Sequence, residues 1–437
     1  MNSLHNSYYA MKKRKEKEDM KREVTAGVFA AIMAASLMMG DVQVKAAESN
    51  YSDVIEGTKT TTFDKYLVMD QDANVPNITF TYTVTAGQPK AYDVAGKKFQ
   101  ILAGVDAYKV TMAGVGVGSD TAAEKSIVYK PEDTQNAEVI KKDDNQLVKG
   151  YDKTTEKYAV KTATLDFSQC KFTKPGIYRY ILTENATTNT AITNDADDTR
   201  VIDVYVYDAS SEEGVKKLKI EGYVLHSNTD DAPEVSMGAN NGSAGSYTDT
   251  KSQGFTNTYD TSDLTFRKEV SGNQASHDKY FEFTVSITGA TAGTVYDVDI
   301  TGADAASGNN AATIDANKGQ NNPTKLTADA NGNVTQKFYL QHGQEIKIEG
   351  IAKGTVYSVT ENKEDYKSEA AIIEGYTNDT NGIIESADLK TSYRNTRNGV
   401  IPTGVVMTVA PFAGAVVLGG LGVVTYAGRK KREDEED

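Results

Sequence analysis

The middle of the chain is written in the two-residue period of β-strands. Thr79-Phe80-Thr81-Tyr82-Thr83-Val84, Val201 to Tyr207 and Tyr280 to Ile287 alternate, or run through β-branched and aromatic residues, between turns rich in Gly, Asn and Asp. Amphipathic helical periodicity is missing outside the termini. The pattern predicts an all-β chain folded as β-sandwiches.

An internal repeat divides this region. Phe63-Asp64-Lys65-Tyr66-Leu67 opens a first unit, Tyr178 to Asn185 with Thr183-Glu184-Asn185 sits late in it, and Phe255-Thr256-Asn257-Thr258-Tyr259 closes it. A second unit repeats the order with Leu264 to Lys268, then Val356 to Asn362 with Thr360-Glu361-Asn362, then Tyr393-Arg394-Asn395-Thr396. The boundary falls at Asp260 to Ser262, giving domains over 47–259 and 260–398. Polar excursions over Gly104 to Lys161 and Ser227 to Ser252 are expected to be surface loops.

The two ends read as processing segments. Met11 to Arg22 is basic, Val24 to Gly40 is apolar, and Val44-Lys45-Ala46 offers small residues to a signal peptidase, so 1–46 is expected to be a secretory signal peptide cleaved after Ala46, with Met11 or Met20 as possible starts. At the other end, 399–437 holds Pro402-Thr403-Gly404, an uncharged run over 405–427 and the basic cluster Arg429 to Arg432. That run, about 23 residues, is long enough to cross a bilayer as a helix, with the basic cluster on the cytoplasmic side.

Composition removes several function classes. The net charge of −14 argues against nucleic acid as a partner. One cysteine, Cys170, leaves an exported chain without an internal disulfide, and it is expected to be a core filler. Four histidines and no tryptophan are thin material for a metal or acid–base site, and no triad or metal spacing is evident, so no turnover enzyme, metal or cofactor is expected. The cluster Asp195-Ala196-Asp197-Asp198 is expected to be a solvated turn, because it lacks a full calcium ligand set.

Strand alternation supplies the candidate chemistry. Lys65 shares a face with Phe63 and Leu67, and Lys268 with Phe266 and Val270; Glu184 follows Tyr178, Tyr180 and Leu182, and Glu361 follows Tyr357 and Val359. Asn257 goes inward with Phe255, and Asn395 with Tyr393. Six polar groups therefore point into two cores. Burial drives a lysine and a glutamate toward their neutral forms. A neutral amine is a nucleophile, and a protonated carboxyl can polarise an amide and pass protons. The expected product is an intramolecular isopeptide with loss of ammonia: Lys65–Asn257 with Glu184 as the acid, and Lys268–Asn395 with Glu361.

Lysine on the first strand, Tyr-x-x-Thr-Glu in Tyr180 to Glu184, its counterpart ending in Thr360-Glu361, and the Phe-x-Asn of Phe255 to Asn257 together resemble the pilin isopeptide-linkage and collagen-adhesin B-type modules of Gram-positive pilins. The first unit is similar to the amino-terminal pilin domain through Asn74-Val75-Pro76-Asn77, Leu165-Asp166-Phe167 and Pro175-Gly176-Ile177-Tyr178. The second is similar to the B-type module through Asp329-Ala330-Asn331-Gly332-Asn333 and Gly354-Thr355-Val356-Tyr357. The resemblance implies two tandem immunoglobulin-like sandwiches. Pro402-Thr403-Gly404 before a spanning segment resembles a cell-wall sorting signal, although the usual Leu-Pro-x-Thr-Gly is not kept. The resemblance implies cleavage between Thr403 and Gly404 by a sortase and transfer of the Thr acyl group to a lysine of an identical subunit. It further implies attachment to peptidoglycan and association with minor or tip pilins. Lys251, just before Asn257, is the expected acceptor, although the Tyr-Pro-Lys-Asn acceptor motif is absent. The reading is a pilus shaft subunit anchored to the cell wall; the alternative is a wall-anchored adhesin that is never polymerised.

Overall fold

The computed structural model describes residues 51–399, apart from 53, 95–96, 135–138, 141–151, 153, 211–215, 228–232, 234–251, 253, 303–312, 316–319, 371–372 and 386. Residues 1–46, expected to be a signal peptide, Lys251, the Pro402-Thr403-Gly404 motif and the run 405–427 lie outside the described residues. Among the described residues the only helical turns are the short 3-10 segments Ala107–Lys109 and Pro131–Thr134, and no helix is long and apolar enough to cross a membrane. The described residues are all-β and fold as two tandem immunoglobulin-like β-sandwiches.

In the first sandwich one sheet runs in the order Ile192–Thr193, Gly254–Tyr259, Thr60–Asp70, Glu156–Asp166, Thr111–Ala113. The facing sheet runs Glu56–Gly57, Leu218–His226, Thr199–Asp208, Gly176–Asn185, Ile78–Ala86, Lys125–Tyr129, Val117–Asp120. Alternation determines what enters the space between them. Along Gly254–Tyr259 the residues Phe255, Asn257 and Tyr259 are buried and their neighbours are not. Phe63, Tyr82 and Phe255 meet at ring separations of 5.4 to 6.0 Å, mostly edge to face, and close the core around the lysine.

Two strands are buried on both faces. Thr60–Asp70 packs Tyr66 and Val68 against Tyr158 on its outer side, and Thr199–Asp208 lies under the hairpin of Lys90–Val94 and Lys97–Ala103. There Arg179 donates two parallel hydrogen bonds to the buried Asp203, at 2.7 and 2.8 Å.

The second sandwich pairs the sheet Lys325–Thr327, Val295–Gly302, Gln344–Ala352, Thr261–Ser271, Leu389–Thr396, Lys367–Ala370 with the sheet Val334–Leu340, Phe281–Thr288, Val356–Glu361, Asn381–Ile383. Phe281–Thr288 alternates perfectly between buried and half-buried residues, which is why its period is so plain in the sequence. Both sandwiches share one topological feature: the strand that opens the unit lies parallel and adjacent to the strand that closes it.

The stretch Gly104 to Lys161 is more than surface loop. Lys125–Tyr129 pairs with Ile78–Ala86 and buries Ile127 and Tyr129 completely. Its polar start hid it: Lys125 is buried because its ammonium donates to Asp120 at 3.0 Å and to the Thr121 carbonyl at 2.9 Å.

Only Asp260 separates Gly254–Tyr259 from Thr261–Ser271, so the last strand of one sandwich runs directly into the first strand of the next. Side chains brace this junction. Thr261 donates to Asp70 at 2.7 Å, Asn74 to Asp297 at 2.7 Å and Asn77 to the Ala292 carbonyl at 2.8 Å. Lys347, held within its own sandwich by Asp263 at 2.7 Å, reaches across to Asp72 at 3.1 Å. The Asn74 to Asn77 turn therefore sits on the neighbouring sandwich.

Candidate functional site

Parallel pairing sets the geometry of the two trios. Lys65 is in register with Phe255, and Lys268 with Tyr393. Each asparagine is two residues further along its strand, so Asn257 and Asn395 are same-face diagonal neighbours of Lys65 and Lys268. The glutamates come across the sandwich from the opposite sheet, Glu184 near the end of Gly176–Asn185 and Glu361 at the end of Val356–Glu361. Alternation alone brings all six groups inward, and the fold brings them together three by three.

In the first sandwich Lys65 Nζ donates to Glu184 Oε1 at 2.9 Å, with Lys65 wholly buried and Glu184 3 % exposed. The ammonium lies over the Phe80 ring at 4.3 Å. Tyr82 donates to the other carboxylate oxygen at 2.7 Å, and Tyr129 donates to the Lys65 carbonyl at 2.5 Å. Burial pulls the Lys65 amine down to about 8, against the pull of the Glu184 charge in the other direction. Burial first, and then the Glu184 charge, hold the Tyr82 phenol well above its ordinary range, so it remains a donor. Asn257 accepts a hydrogen bond at Oδ1 from the Asp195 backbone N–H at 3.0 Å, and its Nδ2 is buried with no partner.

The second sandwich repeats this with variations. Lys268 Nζ lies 2.6 Å from Glu361 Oε1 but off the line of a hydrogen bond, and sits 4.4 Å from the centre of the Phe281 ring. Asn395 donates from Nδ2 to the same Glu361 oxygen at 2.9 Å, and Ser368 donates to the other oxygen at 3.0 Å. Burial again pulls the Lys268 amine down to about 8, opposed by Glu361. Asn395 Oδ1 is the buried atom without a partner. Tyr393 donates to the Val359 carbonyl at 2.6 Å and ties the asparagine strand to the glutamate strand.

Either site holds an amine with access to its neutral form, a carboxyl touching it and a carboxamide alongside, in a space without water-facing charge. Such a set can join amine to carboxamide; left unjoined, a buried ion pair contributes little net stability. Sequence reasoning missed Tyr82, Tyr129, Ser368 and Asp195, which touch the two trios. For Tyr82 the alternation of Thr79 to Val84 did mark an inward phenol, but its carboxylate partner is set by strand register. Cys170 is a buried core residue, its thiol pushed up to about 11 by burial. Among the described residues no group of three or more His, Cys, Asp or Glu could hold a metal.

Tandem β-sandwiches, each with one buried amine, carboxyl and carboxamide at the seam of its opening and closing strands, define the class of protein. Residues 262–397, the second sandwich, match a family described as Domain of unknown function (DUF7601). A pilin of Streptococcus pyogenes serotype M1 is 25% identical over 384 residues, 84% of this chain and 90% of that one. Among solved structures, the major pilin protein (T3.2) of Streptococcus pyogenes is similar at a TM-score of 0.47 and 20% identity, covering 79% of this chain and 100% of that chain. Another major pilin of Streptococcus pyogenes is similar at 0.45 and 21%, with the same coverage. The chain thus resembles a Gram-positive pilin along most of its length.

Proposed function

We propose that this chain is the shaft subunit of a covalently polymerised pilus on a Gram-positive cell surface, and that each sandwich closes its own Lys–Asn isopeptide once, without turnover. The observation that carries the reading is the double occurrence of one trio: lysine on the opening strand, asparagine on the parallel closing strand two residues past the lysine's partner, glutamate from the facing sheet. Similarity to a pilin over 84% of the chain supports it.

In each sandwich the neutral lysine amine attacks the asparagine Cγ, the glutamate takes the amine proton and returns it to Nδ2, and ammonia leaves. The product is an amide in place of a titratable amine, with the glutamate returned to its starting state. Loops of roughly 190 and 130 residues are closed, which on the loop-entropy account of disulfides adds on the order of 5 kcal/mol each. Because the bond joins the opening strand to the closing strand, tension can cross a sandwich without unravelling the sheets between.

Assembly is assigned to a sortase, which cleaves between Thr403 and Gly404 and joins Thr403 to Lys251 of the next identical subunit. The last subunit passes to peptidoglycan, and minor or tip pilins share the fibre. Lys65 and Lys268 are consumed inside their sandwiches and leave the acceptor role to a lysine outside them. The test is an electrophoretic ladder of wall extracts from cells carrying this chain and its sortase. A ladder that collapses to monomer in Lys251→Ala supports the assignment. Persistence of the ladder moves the acceptor elsewhere, and a wild-type chain that never forms one is a wall-anchored adhesin.

A further inference from the structure

The two carboxamides are held by opposite ends. Asn257 has its oxygen bound by the Asp195 backbone N–H and its nitrogen free, whereas Asn395 has its nitrogen bound by Glu361 and its oxygen free. When an amine adds to an amide carbon, negative charge gathers on the oxygen. A fixed N–H already aimed at that oxygen stabilises the charge without reorganising.

The Asp195 amide is fixed in this way by its own side chain. Asp195 Oδ2 accepts the Thr256 backbone N–H at 2.8 Å, one residue before Asn257, and accepts from Arg200 Nη2 at 2.8 Å. Arg200 in turn donates from Nε to Ser252 Oγ and to the Gly254 carbonyl, each at 2.8 Å, and from Nη1 to the Thr199 carbonyl at 2.9 Å, with its guanidinium over Phe255 at 4.5 Å. Arg200 is 6 % exposed. Carboxylate and guanidinium together clamp the loop that carries the amide onto the strand that carries the asparagine.

We propose that the Asp195 backbone N–H is the oxyanion donor for the Lys65–Asn257 bond, positioned by the Asp195 carboxylate and Arg200, and that the second sandwich forms its bond without such a donor. This rests on the isopeptide reading above. In the step, Lys65 Nζ bonds to Asn257 Cγ and the carbonyl electron pair moves onto Oδ1, where the Asp195 N–H meets it. The pair returns as the Cγ–Nδ2 bond breaks, and Nδ2 leaves as ammonia with the proton that Glu184 took from the amine.

The test is a time course of full chain made by cell-free synthesis, quenched and digested, with each cross-linked peptide quantified by mass. The Lys268–Asn395 bond serves as an internal clock. In Asp195→Ala the first bond should form at least about tenfold more slowly relative to that clock, a modest share of what losing one oxyanion donor costs an enzyme. Asp195→Asn keeps an acceptor for Thr256 but weakens the hold of Arg200, and should fall between. Hydrogen exchange of Thr60–Asp70 on the same samples identifies variants that fold as wild type, and Asp195→Asn decides where Asp195→Ala does not. A first bond forming at the wild-type rate in a folded variant overturns the proposal. Absence of the first bond from the wild-type chain overturns the isopeptide reading itself.

Discussion

The phenol of Tyr82 donates to Glu184 at 2.7 Å from directly opposite it on the neighbouring strand, and the residue directly opposite Glu361 is Phe283, which has no hydroxyl. The second sandwich replaces that donor with Ser368, from the strand beside Asn395. One carboxylate oxygen thus faces the lysine in both sites and the other receives a hydroxyl in both, from different strands. Orientation of the carboxyl is what the hydroxyl supplies. Tyr82→Phe should therefore slow the Lys65–Asn257 bond by less than tenfold and leave the Lys268–Asn395 bond alone, whereas Glu184→Ala should abolish the first bond; peptide mapping separates these outcomes.

Intact mass measures both bonds at once. The folded ectodomain should weigh less than its sequence by two molecules of ammonia, one per sandwich. Glu184→Ala should restore one of them and Glu361→Ala the other. A full-length mass in the wild type removes the chemistry altogether, and an unchanged deficit in Glu184→Ala removes that residue from it.

The depressed lysines give the reaction a pH dependence of definite sign. With both amines near 8, the fraction of neutral nucleophile, and with it the cross-linking rate, should fall about tenfold per pH unit below about 8 and level off above it. Stability follows the same groups in the unlinked chain. The folded-state value lies below the ordinary 10.5, so the unfolded chain binds the proton more strongly between about 8 and 10.5. The double variant Asn257→Ala, Asn395→Ala, which keeps both amines free, should gain stability as pH rises through that window. The linked wild type should lack this component, since an amide nitrogen does not titrate; equal pH dependence in the two proteins contradicts the assignment.

What could be read from the sequence was what depends on period. Asn257 lies on a strand that alternates cleanly, and Lys65 and Glu184 each stand two residues from buried apolar neighbours, Phe63 and Leu67 for the lysine and Leu182 for the glutamate, so their inward direction followed from counting by two, and the repeat placed Lys268, Glu361 and Asn395 in the same roles. Long-range partners left no such mark. Asp195 reads as one acid in a polar turn, and only the fold puts its amide on Asn257 and its carboxylate on Thr256, 62 and 61 residues away. Lys125 and Ser126 begin a buried strand with polar residues, because Asp120 and the Ser119 amide satisfy them locally, so alternation lost the signal there.

The junction between the sandwiches offers a test independent of the cross-links. Gly350 sits at φ +63, and a Cβ built there would meet the Ala73 backbone Cα at 2.6 Å, so one sandwich touches the other through a position that only glycine fills. Gly350→Ala adds a left-handed residue, costing about 1–2 kcal/mol, and a clash with backbone that side-chain motion cannot relieve. Gly375→Ala is the control: its φ is +85 and nothing lies within 4 Å, so it carries the conformational cost without the clash. Both variants should lose stability, but only Gly350→Ala should prise Ala73 away from the second sandwich, strain the Lys347 contact with Asp72, and alter the small-angle scattering profile. A native profile and native hydrogen exchange at Ala73 in Gly350→Ala would mean that the sandwiches are not braced at this point. The rigidity of the junction would then rest on the remaining contacts, Thr261 with Asp70, Asn74 with Asp297 and Asn77 with the Ala292 carbonyl.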